Sequence, residues 1–192
     1  MPRNFVACRK KVFNRGQPPV AFLDQLVDWG VAAANEIFVA NDKPDIFASV
    51  KNELGPWAND LERRAAMLEV LRVLAGFESS WDWNAGRDIT NPHSNTSCTE
   101  EAGILQCSGD SMAFDHSLKN LVQAVAGTTD CDTFRDTIKS NHPFALEYCA
   151  RLLRFTINHH GPVKGHHIHP ELRHDAMAEF LGFLQEPATP VA

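Results

Sequence analysis

The stretch 60–79 constrains the fold of this chain more than any other. Apolar side chains recur along it at three- and four-residue steps, the spacing of a helix. Leu68, Leu71 and Ala75 form one stripe, and Met67, Val70, Leu74 and Phe77 form another. A surface helix hides a single face, so a helix apolar on two sides has to be surrounded by neighbours. Asn59, with Glu62 three residues later, supplies a capping box at its start. The expectation is a fold organised around one central helix.

The neighbours are also legible. Phe22, Leu26, Trp29, Ala33 and Ile37 predict a helix within 20–40, and a short helix at 45–53 is ended by Gly55-Pro56. Further helices are predicted at 112–126, with Ser111 before and Gly127 after, and at 130–140. Two more fall at 143–158, opened by Asn141 and Pro143, and at 170–185, opened by Pro170. With 192 residues, 44% hydrophobic and 22% charged, the chain reads as one domain over 1–186 with a frayed tail at 187–192. A net charge of −6 does not suit a phosphate-tracking surface, so no nucleic-acid partner is expected. Without an 18-residue apolar run, no membrane span is expected either.

Residues 80–111 break the helical pattern. They are rich in Asn, Ser, Thr, Asp and Gly and hold one short apolar run, Gly103-Ile104-Leu105-Gln106-Cys107, long enough for one strand of a hairpin. A loop this long inside a helical domain is usually functional, so the chemistry is sought here. Extending the Leu68–Leu71–Ala75 stripe by three residues lands on Glu78, which aims a carboxylate into the protein or at a cleft floor. Partial desolvation and the negative end of the helix both disfavour an anion there, which suits a general acid. The competing reading is an ion pair with Arg87 or Arg151, or fraying into solvent. Trp81 and Trp83 follow directly, and indole faces are platforms for sugar rings, although either could instead plug the helix end.

Glu78-Ser79 closing a buried helix, then a polar loop, then Ala102-Gly103-Ile104-Leu105-Gln106, resembles the lysozyme-like superfamily of goose-type lysozymes and soluble lytic transglycosylases. The matching pattern there is Glu-Ser followed by Gly-Leu-Met-Gln, and Ala145-Leu146-Glu147-Tyr148 is similar to its Ala-Tyr segment. The resemblance spans roughly 60–158. It departs from the pattern in reading Gly-Ile-Leu-Gln and in lacking Asn-Ala-Gly after the Ala-Tyr pair. It implies a mainly α, α+β lysozyme-like fold: a helical bundle around a central buried helix, with a small β-hairpin lining the cleft. It also implies a peptidoglycan glycoside hydrolase, of muramidase or N-acetylglucosaminidase type, in which Glu78 is the catalytic acid. Ser79, Trp81 and Trp83 would bind substrate, Gly103 would let the backbone approach the sugar, and Gln106 would shape the cleft. Tyr148 would orient Glu78 through its hydroxyl.

Inversion by water needs a base across the sugar, about 6.5–9.5 Å from the acid. Asp82, Asp88, Glu100, Glu101 and Asp110 are available. Asp88 is the first choice, because the resemblance places water-positioning acids in this region, and Glu101 is the second, because it enters the hairpin. A lytic transglycosylase would use Glu78 alone, with the muramic 6-hydroxyl as nucleophile.

Six of nine histidines lie at 159, 160, 166, 167, 169 and 174. A zinc amidase built on them is the competing enzyme, and a glycan-binding module without catalysis is a third reading. Their irregular spacing around Gly161-Pro162 and Gly165 reads instead as a solvated surface loop, so no metal and no cofactor are expected. The five cysteines (8, 98, 107, 131 and 149) read as packed thiols, with a Cys98–Cys107 bridge as the alternative. Basic residues near the N-terminus are followed by Gln17-Pro18-Pro19 rather than an apolar segment, so no conventional signal peptide is read. A short, acidic, signal-less chain of this kind resembles the type VI secretion effectors of Gram-negative bacteria. That implies delivery to a target bacterium's periplasm, glycan strands as substrate, and a cognate immunity protein occluding the cleft.

Overall fold

The computed structural model describes residues 3–87 and 89–185, so Asp88 and the expected tail at 187–192 lie outside the described residues. The chain is mainly helical with one small antiparallel hairpin, as expected. Helix α1 (Val20–Ala32) stops well before residue 40. Its last carbonyls are taken by a side chain from elsewhere: Arg64 donates to Gly30 O at 2.5 Å and to Ala33 O at 3.0 Å. Capping by a cation is what a helix C-terminus accepts. Only a single 3₁₀ turn, Asn35–Ile37, follows. Two one-turn helices, α2 (Ile46–Ser49) and α3 (Lys51–Leu54), come next. Asp45 caps α2 through the Phe47 and Ala48 amides, and its other oxygen binds the buried Arg154 at 2.6 Å.

Helix α4 (Asp60–Ser79) is the axis of the molecule. Asn59 Oδ1 accepts from the Glu62 amide at 3.0 Å, and the Glu62 carboxylate reaches back to the Ala58 amide at 2.7 Å. Every residue from Ala65 to Gly76 is buried. Helix α1 packs against it, together with α7 (His142–Phe155), α8 (Gly161–Lys164) and α9 (His174–Gln185) from later in the chain. At Gly30 of α1 a side chain would meet Leu68 Cδ1 at 2.9 Å, so that glycine allows α1 to lie close against α4. Burial all round leaves two charged residues inside. Arg72 donates to both oxygens of Glu69, at 2.6 and 2.7 Å, and the Arg173 amide adds a third bond to Glu69 at 2.9 Å. A buried pair of this sort survives only because its polar atoms are matched.

The hairpin is shorter and set differently from its sequence reading. Strand β1 (Glu101–Ala102) pairs with β2 (Cys107–Ser108) in the register Glu101↔Ser108 and Ala102↔Cys107. The apolar run expected to form a strand is therefore the turn itself, with Gly103 at φ +72° and Gln106 at φ +45°. A 3₁₀ segment, Gly109–Phe114, then delays α5 (His116–Ala126), so the N-cap is Asp115 rather than Ser111. Helices α6 (Cys131–Ser140) and α7 (His142–Phe155) follow, capped by Asp130 and Asn141, and α7 ends three residues early. The short α8 (Gly161–Lys164) precedes a 3₁₀ turn at His169–Glu171, which displaces the start of α9 (His174–Gln185) from 170. The alternative Cys98–Cys107 bridge is not formed: Cys98 is bonded to Cys131, while Cys8, Cys107 and Cys149 are free and buried. No helix among the described residues is long and apolar enough to cross a membrane.

Removing one member of the α4 ion pair strands the other charge in the core. Glu69→Ala is expected to lower unfolding stability by about 3–5 kcal/mol, read as a fall in the urea midpoint at unchanged slope.

Candidate functional site

Glu78 occupies the last turn of α4, just past its fully buried segment, and its side chain is 15% exposed. The next residue fixes what faces it. Ser79 Oγ donates to Ile104 O in the hairpin turn at 2.8 Å and accepts from the Asp82 amide at 3.1 Å. The helix end and the hairpin are thereby tied together beside a cleft of about 820 Å³. Glu78, Glu101, Gln106, Asn91, His93 and His160 line this cleft, and Arg15 and Lys164 give it two cations.

Of the two acids put first for the opposite side of the cleft, Asp88 lies outside the described residues and Glu101 lines the cleft with Glu78. Glu101 Oε1 accepts from Asn91 Nδ2 at 2.7 Å, while Oε2 is buried with no hydrogen-bond partner among the described residues. Among the described residues, the other loop acids considered are engaged elsewhere. Glu100 pairs with Arg87 and Arg135, Asp82 accepts from the Asn84 amide at 2.9 Å, and Asp110 accepts from Ser108 Oγ at 2.5 Å. Neither arginine considered for Glu78 reaches it, because Arg87 is on Glu100 and Arg151 is on Glu147 and Glu36.

Gln106 lines the cleft as expected, and its amide is pinned by Gly103 O at 2.9 Å. Four other expected substrate contacts lie elsewhere. Ser79 is consumed by the bonds just described. Trp81 is buried: Ser80 and Trp81 both take left-handed backbone, at φ +54° and +63°, which folds the indole back over Gly76. Its Nε1 donates to Arg72 O at 2.9 Å, so it plugs the helix end. Trp83 stacks on His142 at 3.8 Å, nearly parallel, and packs toward Phe22. Gly103 approaches the backbone of Ile138 in α6 rather than the cleft; a side chain there would sit 3.2 Å from Ile138 O.

Tyr148 does not orient Glu78. It is wholly buried, its hydroxyl is 2.7 Å from Ser111 Oγ, and burial pushes its phenol well above the usual range. The partner of Glu78 is His160, with Nδ1 3.3 Å from Oε1. The sequence reading of 159–174 as a solvated loop holds for His166, His167 and His174 but not for His160, which is 2% exposed. His160 is the N-cap residue of a four-residue helix, and nothing in a His-Gly-Pro triplet signals burial.

Behind His160 lie two thiols, with Cys149 Sγ 3.4 Å from Nε2. Burial opposes a charge on the imidazole, but its bonds to Cys107 and Glu78 outweigh that and raise its pKa to about 10. The Cys107 thiol is drawn below its usual range: burial alone would raise it, and hydrogen bonds from Cys149 and His160 overcome that. Burial and the neighbouring Cys107 push Cys149 upward instead. His159, set edge-on to His160 at 4.8 Å, is lowered to about 3 by burial and by its neighbour's charge. The ring thus faces Glu78 through Nδ1 and Cys149 through Nε2.

Since Tyr148 bonds only within the core, Tyr148→Phe is expected to cost about 1–2 kcal/mol of stability. The expected reading is a lower denaturation midpoint with an unchanged near-ultraviolet signal from the tryptophans. Set against family models, curated proteins and solved structures, the chain matches none of them.

Proposed function

We propose that this chain is a peptidoglycan glycoside hydrolase that cuts β-1,4 glycan bonds with Glu78 as general acid. One observation carries the reading: a half-buried carboxylate at the end of a core helix shares a polar cleft with a second carboxylate, Glu101. Glycoside hydrolysis asks for two such groups, one to protonate the leaving oxygen and one to activate water. Glu101 suits the second role, since Asn91 holds one of its oxygens and the other has no hydrogen-bond partner among the described residues. That favours water over the muramic 6-hydroxyl as nucleophile. It also assigns to Glu101 the part first expected of Asp88.

The cleft wall offers what a sugar strand needs. Asn91, His93, Gln106 and Asn158 can bond hydroxyls. Phe77, stacked against the exposed Phe13 at 5.9 Å, supplies the aromatic surface that Trp81 and Trp83 do not. The net charge of −6 gives no general attraction to an anionic wall, but Arg15 and Lys164 place positive charge at the cleft, where muramic and peptide carboxylates would pass. An amidase centre drawn from the histidine run is less well supported. That run is divided, with His159 and His160 on the cleft and His169 held by Glu53 and Ser49. Delivery to a rival's periplasm and a cleft-blocking immunity protein belong to the same proposal.

Glu78→Gln is expected to keep its circular dichroism and lose about 10²–10⁴-fold in sacculus digestion, and full activity in that variant would overturn the assignment. Mass spectrometry of the wild-type digest is expected to show hydrated reducing ends; anhydro ends would indicate transglycosylation and free amines an amidase. Glu101→Gln is expected to fall by about 10²-fold or more, with Trp83→Ala staying within a few-fold of wild type.

A further inference from the structure

We infer that Cys107, Cys149 and His160 form a site for a borderline-soft divalent metal ion, zinc by the chemistry of its donors. The three residues come from different elements: strand β2, the middle of α7, and the residue ahead of α8. The fold brings one sulfur from each cysteine and one ring nitrogen within 4.8 Å of one another. All three side chains are buried, at 0%, 0% and 2% exposure. Beyond the cluster, Cys107 Sγ makes a long bond of 3.8 Å to Leu105 O. Two thiols and an imidazole converging in an apolar interior form a donor set that hard cations do not select and zinc does.

The orientation of His160 strengthens the assignment. Nε2 is directed at Cys149 Sγ, 3.4 Å away, and Nδ1 at Glu78 Oε1, 3.3 Å away on the other side of the ring. A metal-bound histidine typically gives its second ring nitrogen to a carboxylate, which fixes the tautomer and the plane of the ring. Glu78 therefore stands as the outer carboxylate of the site rather than as a ligand. Three protein donors leave the fourth position of a tetrahedron to a non-protein ligand. Bound there, the ion would join β2, α7 and the α8 entrance directly behind the cleft wall. The inference stands whether or not the cleft cuts glycan.

The experiment is cobalt substitution. Chelator-treated, refolded protein is titrated with Co²⁺ under anaerobic conditions and followed by absorption. Expected are a thiolate-to-cobalt charge-transfer band and tetrahedral visible bands saturating at one ion per chain, then abolished stoichiometrically by Zn²⁺. Cys107→Ser and Cys149→Ser should each lose the charge-transfer intensity associated with that sulfur, while Cys8→Ala keeps the full spectrum. Glu78→Gln should retain the band with affinity weakened about 10–100-fold, a readout separate from its loss of sacculus digestion. The inference is overturned if folded wild-type protein shows no charge-transfer band. It is equally overturned if the Cys107→Ser/Cys149→Ser double variant keeps the band, or if protein prepared without reductant carries a Cys107–Cys149 disulfide.

Discussion

Enclosure of α4 from Ala65 to Gly76 is the constraint from which the rest follows. A helix surrounded over twelve consecutive residues cannot send its polar side chains to water, so Glu69 and Arg72 satisfy each other inside. The same enclosure ends abruptly at Phe77. Glu78 is thus the first polar side chain on the buried stripe that reaches an open cleft. Its position is inherited from core packing rather than from loop geometry. A site built on the end of a packed helix is held more closely than one carried by a loop.

The second wall of the cleft depends on the first through few bonds. Ser79 joins the helix end to the hairpin turn, and the Gly103 amide is bonded to Ala85 O, so the turn is gripped from both sides of the polar loop. Glu101 enters the cleft from β1 as a result. The imidazole of His160 then closes the space behind Glu78, in line with the two thiols.

Much of the frame was legible from sequence because its signals are local. The α4 stripes, the Asn59–Glu62 cap, Asn141 before α7 and Gly127 after α5 depend on residues within one or two turns of each other. What escaped depends on distant partners. The end of α1 is decided by Arg64, far along the chain. The indole of Trp81 turns inward because two consecutive non-glycine residues adopt left-handed backbone, which composition does not announce. Glu78 was legible through periodicity, and Glu101 through its place at the hairpin. His160 was not, because a histidine beside Gly-Pro looks solvated until α7 and β2 are brought against it. Tyr148 illustrates the reverse: a residue singled out for the site serves Ser111 in the core.

The covalent bond between Cys98 and Cys131 fastens the polar loop to α6 at a point close in sequence to Glu101. Such a bond endures in oxidising surroundings and is cleaved in thiol-rich ones. The firmness of the hairpin wall of the cleft is therefore a property of the surrounding medium as much as of the fold. Among reducing thiols the helix end that carries Glu78 would stay in place with the opposite wall slack, and an oxidising medium would draw that wall taut.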